Sequence, residues 1–303
     1  MKKLLLASTA LVMSAGYAAA DVSLSGDARM GIVYDSGAAN ELSFTSRARV
    51  TFTLSGETDT GLAFGASFRA DNAGGAATDR ASSTGTAPET VPFSGQGMTA
   101  GSVFISGDFG ELRMGDVSGA AEFIVGDLAG VGLTGLGDLN EMTYLVNSPA
   151  QWRPTARYSY TLDGLKLALS IENPQTDATG DRFAASIAAS YTFDGFTGGL
   201  GYESVLDGAD HIIGFVGADI EGITAKAIYG RISGGDTQYG LSVSGSFDEV
   251  TVTAFGRRDF DSDTHYGIGA SYNLGGGAAL RGGVVRNGTS SDTVADFGLA
   301  FTF

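Results

Sequence analysis

Between Ser118 and Ser148 the chain carries four carboxylates, Glu122, Asp127, Asp138 and Glu141, set among glycines and apolar residues such as Phe123, Ile124, Val131, Leu133 and Leu136. Elsewhere basic residues recur at alternate positions, most clearly Arg47 and Arg49. Acids gathered on one stretch and bases on others can do electrostatic chemistry without making or breaking a bond, by sorting solutes according to charge and dipole. Covalent chemistry is poorly provisioned. There is no cysteine, and the two histidines, His211 and His265, have neither metal-ligand spacing nor a serine nominated beside them. Gly130 to Gly135 spells G-x-G-x-x-G, but it follows no strand and opens no helix, the context in which that pattern binds a dinucleotide. Asp259-Phe260-Asp261-Ser262-Asp263 begins like a calcium loop, yet Thr264 stands where glycine is needed and Ala270 where a bidentate glutamate is needed. Asn287-Gly288-Thr289 fits a glycosylation acceptor and reads better as a tight turn.

The elements that must position these groups are strands. Residues 41 to 54 alternate strictly: Leu42, Phe44, Ser46, Ala48, Val50, Phe52 and Leu54 on one face, Arg47 and Arg49 with serine and threonines on the other. The same period returns along the chain and ends in Phe297, Leu299, Phe301 and the terminal Phe303, all on one face. No segment carries a 3.6-residue period of helical length. Residues 1 to 20 read as a secretory signal peptide, with Lys2 and Lys3, an apolar run to about Gly16 and Ala18-Ala19-Ala20 before Asp21. After it, no apolar run reaches the roughly 20 residues that a spanning helix needs. The formal charge of −16 becomes two units more negative when Lys2 and Lys3 leave, which argues against a nucleic-acid partner. An exported chain without cysteine has no disulfide staples.

Connections fall into two kinds. Seven are short and often Asp-Gly or Gly-rich, such as Asp163-Gly164, Asp194-Gly195 and Gly275 to Gly277. Eight others lie between them, several of them longer and polar, including Asn72 to Gly97, 118 to 148 and Asn173 to Gly180. That count predicts sixteen antiparallel strands with both termini at the short-turn end. A soluble β-sandwich would also alternate. The export signal, the turn asymmetry and aromatics near the strand ends on the apolar face favour a transmembrane β-barrel over residues 21–303, with Tyr34, Phe44, Tyr202, Tyr229, Tyr239 and Tyr266 in one girdle and Phe52, Tyr160, Phe193, Phe247, Tyr272 and Phe303 in the other. A barrel of that width encloses water. Its lining would hold Arg29, Arg47, Arg49, Arg69, Arg113, Arg153, Arg157, Lys166, Arg182 and Lys226, because a charge facing lipid at mid-depth costs roughly 2 to 4 kcal/mol.

The terminal strand ending on Phe303, the count of sixteen and Glu111-Leu112-Arg113-Met114-Gly115-Asp116-Val117-Ser118-Gly119-Ala120 leading into a long loop resemble the general diffusion porins of alphaproteobacteria over the whole mature chain. The resemblance implies a homotrimer in the outer membrane among lipid and lipopolysaccharide, each barrel narrowed by an inward-folded third external loop, residues 118–148. It implies that Glu122, Asp127, Asp138 and Glu141 face Arg47, Arg49, Arg69 and Arg113 across the constriction, and that the barrel-assembly machinery reads Phe303. Arg157 joins the basic pore wall by strand alternation. The expected function is passive diffusion of ions and small hydrophilic solutes. The net charge suggests a weak cation preference. No reaction and no cofactor is required; the acidic loops offer the oxygen ligands that Ca2+ or Mg2+ prefers. Two alternatives differ in one feature each. A sugar-selective channel would show an aromatic stripe down the lumen, and a barrel-anchored adhesive protein has no need of a constriction.

Overall fold

Period-two patterning and glycine turns produce a closed antiparallel barrel. The computed structural model describes residues 21–71, 101–146, 154–177 and 180–303; the expected signal peptide, the loop from Asn72 to Gly97, and Arg153 lie outside them. Sixteen strands close the ring: β1 (Asp21–Asp35), β2 (Leu42–Glu57), β3 (Ala63–Asp71), β4 (Gly101–Gly107), β5 (Gly110–Gly115), β6 (Thr155–Leu162), β7 (Leu165–Glu172), β10 (Ala184–Phe193), β11 (Phe196–Val205), β12 (Asp210–Ile220), β13 (Ile223–Ile232), β14 (Thr237–Phe247), β15 (Val250–Arg258), β16 (Thr264–Gly275), β17 (Ala278–Arg286) and β18 (Thr293–Thr302). Between β7 and β10 a separate two-stranded ribbon pairs β8 (Gln175–Asp177) with β9 (Gly180–Arg182), where the sequence reads as plain loop. Three residues a side are too few to display a period of two.

Each strand pairs with its sequence neighbour, and β1 pairs with β18 to shut the ring. The seam is fastened at the carboxyl terminus, where Phe303 N–H donates to Gly26 O at 2.9 Å. Closure leaves no unpaired edge, a condition for backbone that spans hydrocarbon. At the short-turn end Asp163-Gly164, Asp194-Gly195 and Glu221-Gly222 hold positive φ at both positions, as two-residue hairpins that match strand twist demand.

The two faces differ as alternation requires. Leu42, Phe44, Leu200, Val216, Phe247 and Phe297 stand on the outer surface, Phe44 being 87% and Phe193 69% exposed. The aromatics expected at the strand ends lie on this same face; Phe52 and Phe68 stack there with ring centroids 4.9 Å apart. The opposite face turns the polar set inward, including Arg47, Arg49, Arg113, Ser170, Ser186, Lys226 and Asp296.

Candidate functional site

The lining is completed by the chain between β5 and β6, which packs onto the inner wall. It opens with α1 (Ala120–Val125), the one helix among the described residues. Ser170 on β7 and Ser186 on β10 meet at 2.7 Å, and the Ala120 N–H donates to both hydroxyl oxygens at 2.8 Å. Ala120, Ala121, Ile124 and Val125 are buried against the wall. At the end of α1, Lys226 on β13 donates its Nζ to the Val125 carbonyl and, at 2.8 Å, to the Asp127 carbonyl. The Ala129 N–H then reaches Ser242 on β14 at 3.0 Å.

The segment continues round the wall to β18. There Asp296 accepts from the Leu133 N–H at 2.9 Å, the Thr134 N–H at 2.6 Å and the Thr134 hydroxyl at 2.7 Å. Gly130 to Gly135, the unassigned glycine pattern, serves this close approach. Gly132 has φ +85° and lies against Gly269 and Gly283 so closely that a Cβ on Gly283 would come within 2.8 Å of the Gly132 nitrogen. The chain turns back beyond Gly135, and the limbs are tied together: Asn140 Nδ2 donates to Leu128 O at 2.7 Å, Met142 N–H to Asp127 Oδ1 at 2.7 Å and Tyr144 OH to Gly126 O at 2.8 Å. Beneath them Val125, Leu128, Val131, Leu136, Met142 and Tyr144 form an apolar cluster with the inward-facing Ile213, Ile228, Phe255 and Val285. Each large apolar side chain buried there contributes on the order of 1.5 to 3 kcal/mol, so the segment is a docked element.

The return limb ends on a polar knot that sequence reasoning missed. Gln238 on β14 clasps Thr143 with both amide atoms, accepting its N–H at 2.9 Å and donating to its carbonyl at 2.8 Å. Glu203 on β11 accepts the Leu145 and Val146 N–H groups at 3.0 and 3.1 Å. His211 on β12 joins the two, with Nδ1 2.7 Å from Glu203 and Nε2 3.3 Å from Gln238. The side chains of Glu203 and His211 are fully buried. The histidine thus supports the loop, consistent with the lack of any catalytic partner in sequence.

The four loop carboxylates share one neighbourhood. Glu122 is half-buried beside Ser118, and Asp138 and Glu141 are exposed. Burial raises Glu122 from the usual carboxylate range to about 7, helped by the charges of Asp127, Glu203 and Glu141 and opposed by a hydrogen bond with Ser118. Burial also raises Asp127, against the Met142 N–H and the Lys226 and Arg257 charges, and raises Glu141, with Asp138 and Asp127 adding to the effect.

Four of the expected basic residues line the arc of the ring from β2 to β5. Arg47 and Arg49 on β2, Arg69 on β3 and Arg113 on β5 all point inward from this arc, with β4 standing between β3 and β5. Lys226, which holds the Asp127 segment, is on β13, eight places round the ring from β3 and therefore opposite it. Arg47 Nη2 pairs with Asp27 Oδ1 at 2.7 Å, and Arg113 makes a forked pair with Glu111 at 2.8 and 3.0 Å. Arg113 also lies 4.7 Å from the Phe104 ring centroid. Arg157 faces inward, the side that alternation gives it, and there the loop covers it. It is buried at the root of the loop, donating to Ser118 O at 3.0 Å with its guanidinium 3.6 Å from the Phe123 ring centroid. Phe123 carries Lys166 on it as well, at 3.9 Å. Lys226 is likewise covered by the loop instead of lining open water.

A closed sixteen-strand barrel with an apolar belt outside, a charged lining and one segment docked on that lining defines an outer-membrane-type channel. A family model for Gram-negative porins matches residues 7–292. The porin of Rhodobacter capsulatus is 35% identical over 93% of this chain and all of its own length, and that of Fuscovulum blasticum is 28% identical with the same coverage. A solved porin structure refined at 1.8 Å superposes with a TM-score of 0.76 at 33% identity, covering 93% of this chain and 100% of the other. A triple mutant of Rhodopseudomonas blastica porin shares the fold, with a TM-score of 0.68 at 22% identity and the same coverage. The chain belongs to the Gram-negative porin family. It is a general-diffusion pore of the outer membrane.

Proposed function

We propose that Glu122, Asp127, Asp138 and Glu141 form the acidic side of this pore's constriction and that Arg47, Arg49, Arg69 and Arg113 form the basic side, giving a weakly cation-preferring channel without enzymatic activity. The observation that carries this reading is that the Asp127 segment is held on β13, eight strands round the ring from Arg69 on β3, while Asp138 at the far end of the loop approaches Ser43 and Thr45 on β2, the strand of Arg47 and Arg49. Across a lumen of that kind the field is transverse, and a screening length of about 8 Å at physiological salt lets a passing solute feel it. Ion pairing tips the balance toward cations: Arg47 and Arg113 are each matched by a wall carboxylate, Asp27 and Glu111, whereas Asp138 and Glu141 stand exposed on the loop. Arg157 contributes by holding the loop root.

Three barrels side by side form the working unit in this reading, delivered after cleavage before Asp21. Phe303, 81% exposed beside the β1–β18 seam, is the residue that the assembly machinery engages. Passive diffusion needs no cofactor. Ca2+ or Mg2+ at the acidic external loops would act as a bridge to lipopolysaccharide.

Planar-bilayer recording of the mature protein tests the reading. Ohmic steps that rise with bulk salt, close in thirds at high voltage and reverse on the cation side of zero in a KCl gradient are expected. Steps blocked by one particular sugar would replace it with a selective channel, and silence from inserted protein with an anchor.

A further inference from the structure

On the side of the loop tip that faces the short turns, the lining holds a cavity of about 260 Å3 walled by β1, β2, β16, β17 and β18 and roofed by Leu133. Three guanidinium groups border it, Arg29, Arg47 and Arg281, against the single carboxylate of Asp27. Strand register makes this arrangement costly. Arg29 lies directly opposite Arg47 across the β1–β2 pair, and like charges so placed repel. Asp296 on β18 attracts Arg29 by its charge, but its oxygens are taken by the Leu133 and Thr134 donors and it makes no ion pair with a guanidinium. Between Arg29 and Arg281 the β18 positions are Gly298 and Ala300, opposite Arg281 and Arg29, so the floor carries almost no side chain. The Arg281 side chain is exposed and makes no hydrogen bond or ion pair among the described residues. Ser271 adds a hydroxyl at the rim.

Resting on the channel reading above, we infer that this cradle is an oxyanion subsite on the short-turn side of the constriction, taking a small doubly charged phosphate-type group. Guanidinium forks match the planar oxygen pairs of such a group, and a dianion neutralises the repulsion that register builds in. The subsite opens from the Arg47 side of the constriction toward the short turns and away from the acidic loop carboxylates, so a channel that favours cations still offers an anion a resting place on its basic wall.

The test is single-channel recording of the mature protein in KCl, with inorganic phosphate replacing chloride at fixed ionic strength. Phosphate is expected to add current fluctuations and reduce conductance saturably. In R281Q the half-effective concentration should rise by about threefold to fivefold, the scale of an exposed ion pair. R29Q should show the same shift, and ohmic KCl steps report that each variant has folded. A saturable phosphate effect of equal strength in wild type and R281Q would overturn the assignment, as would a wild-type channel that conducts KCl normally and ignores phosphate. Loss of KCl conductance in the wild type would instead overturn the channel reading on which the inference rests.

Discussion

Glu122 shows how one side chain can make a passive pore respond to its medium. Its carboxyl is held near pH 7 first by burial and then by neighbouring acids, so the folded protein keeps this proton to a much higher pH than an unfolded chain would. The sign follows from linkage: a carboxyl whose folded value is raised costs no stability below its ordinary value near 4.5 and costs progressively more as pH climbs through 7. Function moves the opposite way, because each ionised Glu122 adds negative charge at the loop. The cation-to-anion permeability ratio should therefore rise between pH 6 and pH 8, and Glu122→Gln should remove most of that rise; a variant with the wild-type profile would assign the step elsewhere. Glu111 gives a second residue-scale case. Its forked pair with Arg113 masks a wall charge, so Glu111→Gln should unmask it and shift the permeability ratio toward anions by about twofold or less, as a partly exposed pair allows. Reversal potentials in a KCl gradient read both effects.

At the scale of elements, the inward loop behaves as a docked strap whose far end depends on one carboxylate. Asp296→Ala would strand the Leu133 and Thr134 donors at a cost of about 1 to 3 kcal/mol for each group left buried and unpaired. Because the barrel ladder is untouched, the loop tip should loosen without global unfolding. Faster proteolysis between 130 and 138 and noisier open-channel current are expected at an unchanged thermal midpoint, and a lowered midpoint with a quiet channel would make Asp296 part of the wall's own stability. Such anchors explain how much could be read beforehand. Period-two alternation exposes strands, their facing and the inward arginines because each is a local property. Asp296 and Leu133 are 163 positions apart, and no local pattern announces that they meet. Glu203, His211 and Gln238 lie near strand ends on different strands, and their shared burial depends on the loop returning over them, which no local pattern announces. α1 stayed hidden because six residues are under two turns, too short for a helical period to appear.

For the molecule as a whole, a closed ladder and a large negative charge set separate properties. The ladder fixes the pore's bore, since every strand of the ring is hydrogen-bonded on both sides and the ring has no edge left to rearrange. Net charge sets the ion atmosphere that a solute meets before it reaches the constriction. With 34 acidic side chains against 18 basic ones, the mouths repel anions over roughly one screening length. That length is about 10 Å at 0.1 M salt and about 3 Å at 1 M. At low salt the mouth potential extends into the lumen and reinforces the loop carboxylates, whereas at high salt only charges close to the ion path still act. Conductance should thus fall less than proportionally on dilution, because the charged mouths keep cations concentrated. The cation preference should grow over the same range. Reversal potentials measured at one fixed concentration ratio, centred first on 1 M and then on 0.1 M KCl, separate the two sources of selectivity. A clear increase at low salt assigns most of the preference to the acidic rim of the barrel. An unchanged value would place it in the narrow stretch between the loop carboxylates and the arginine wall, where screening has little room to operate.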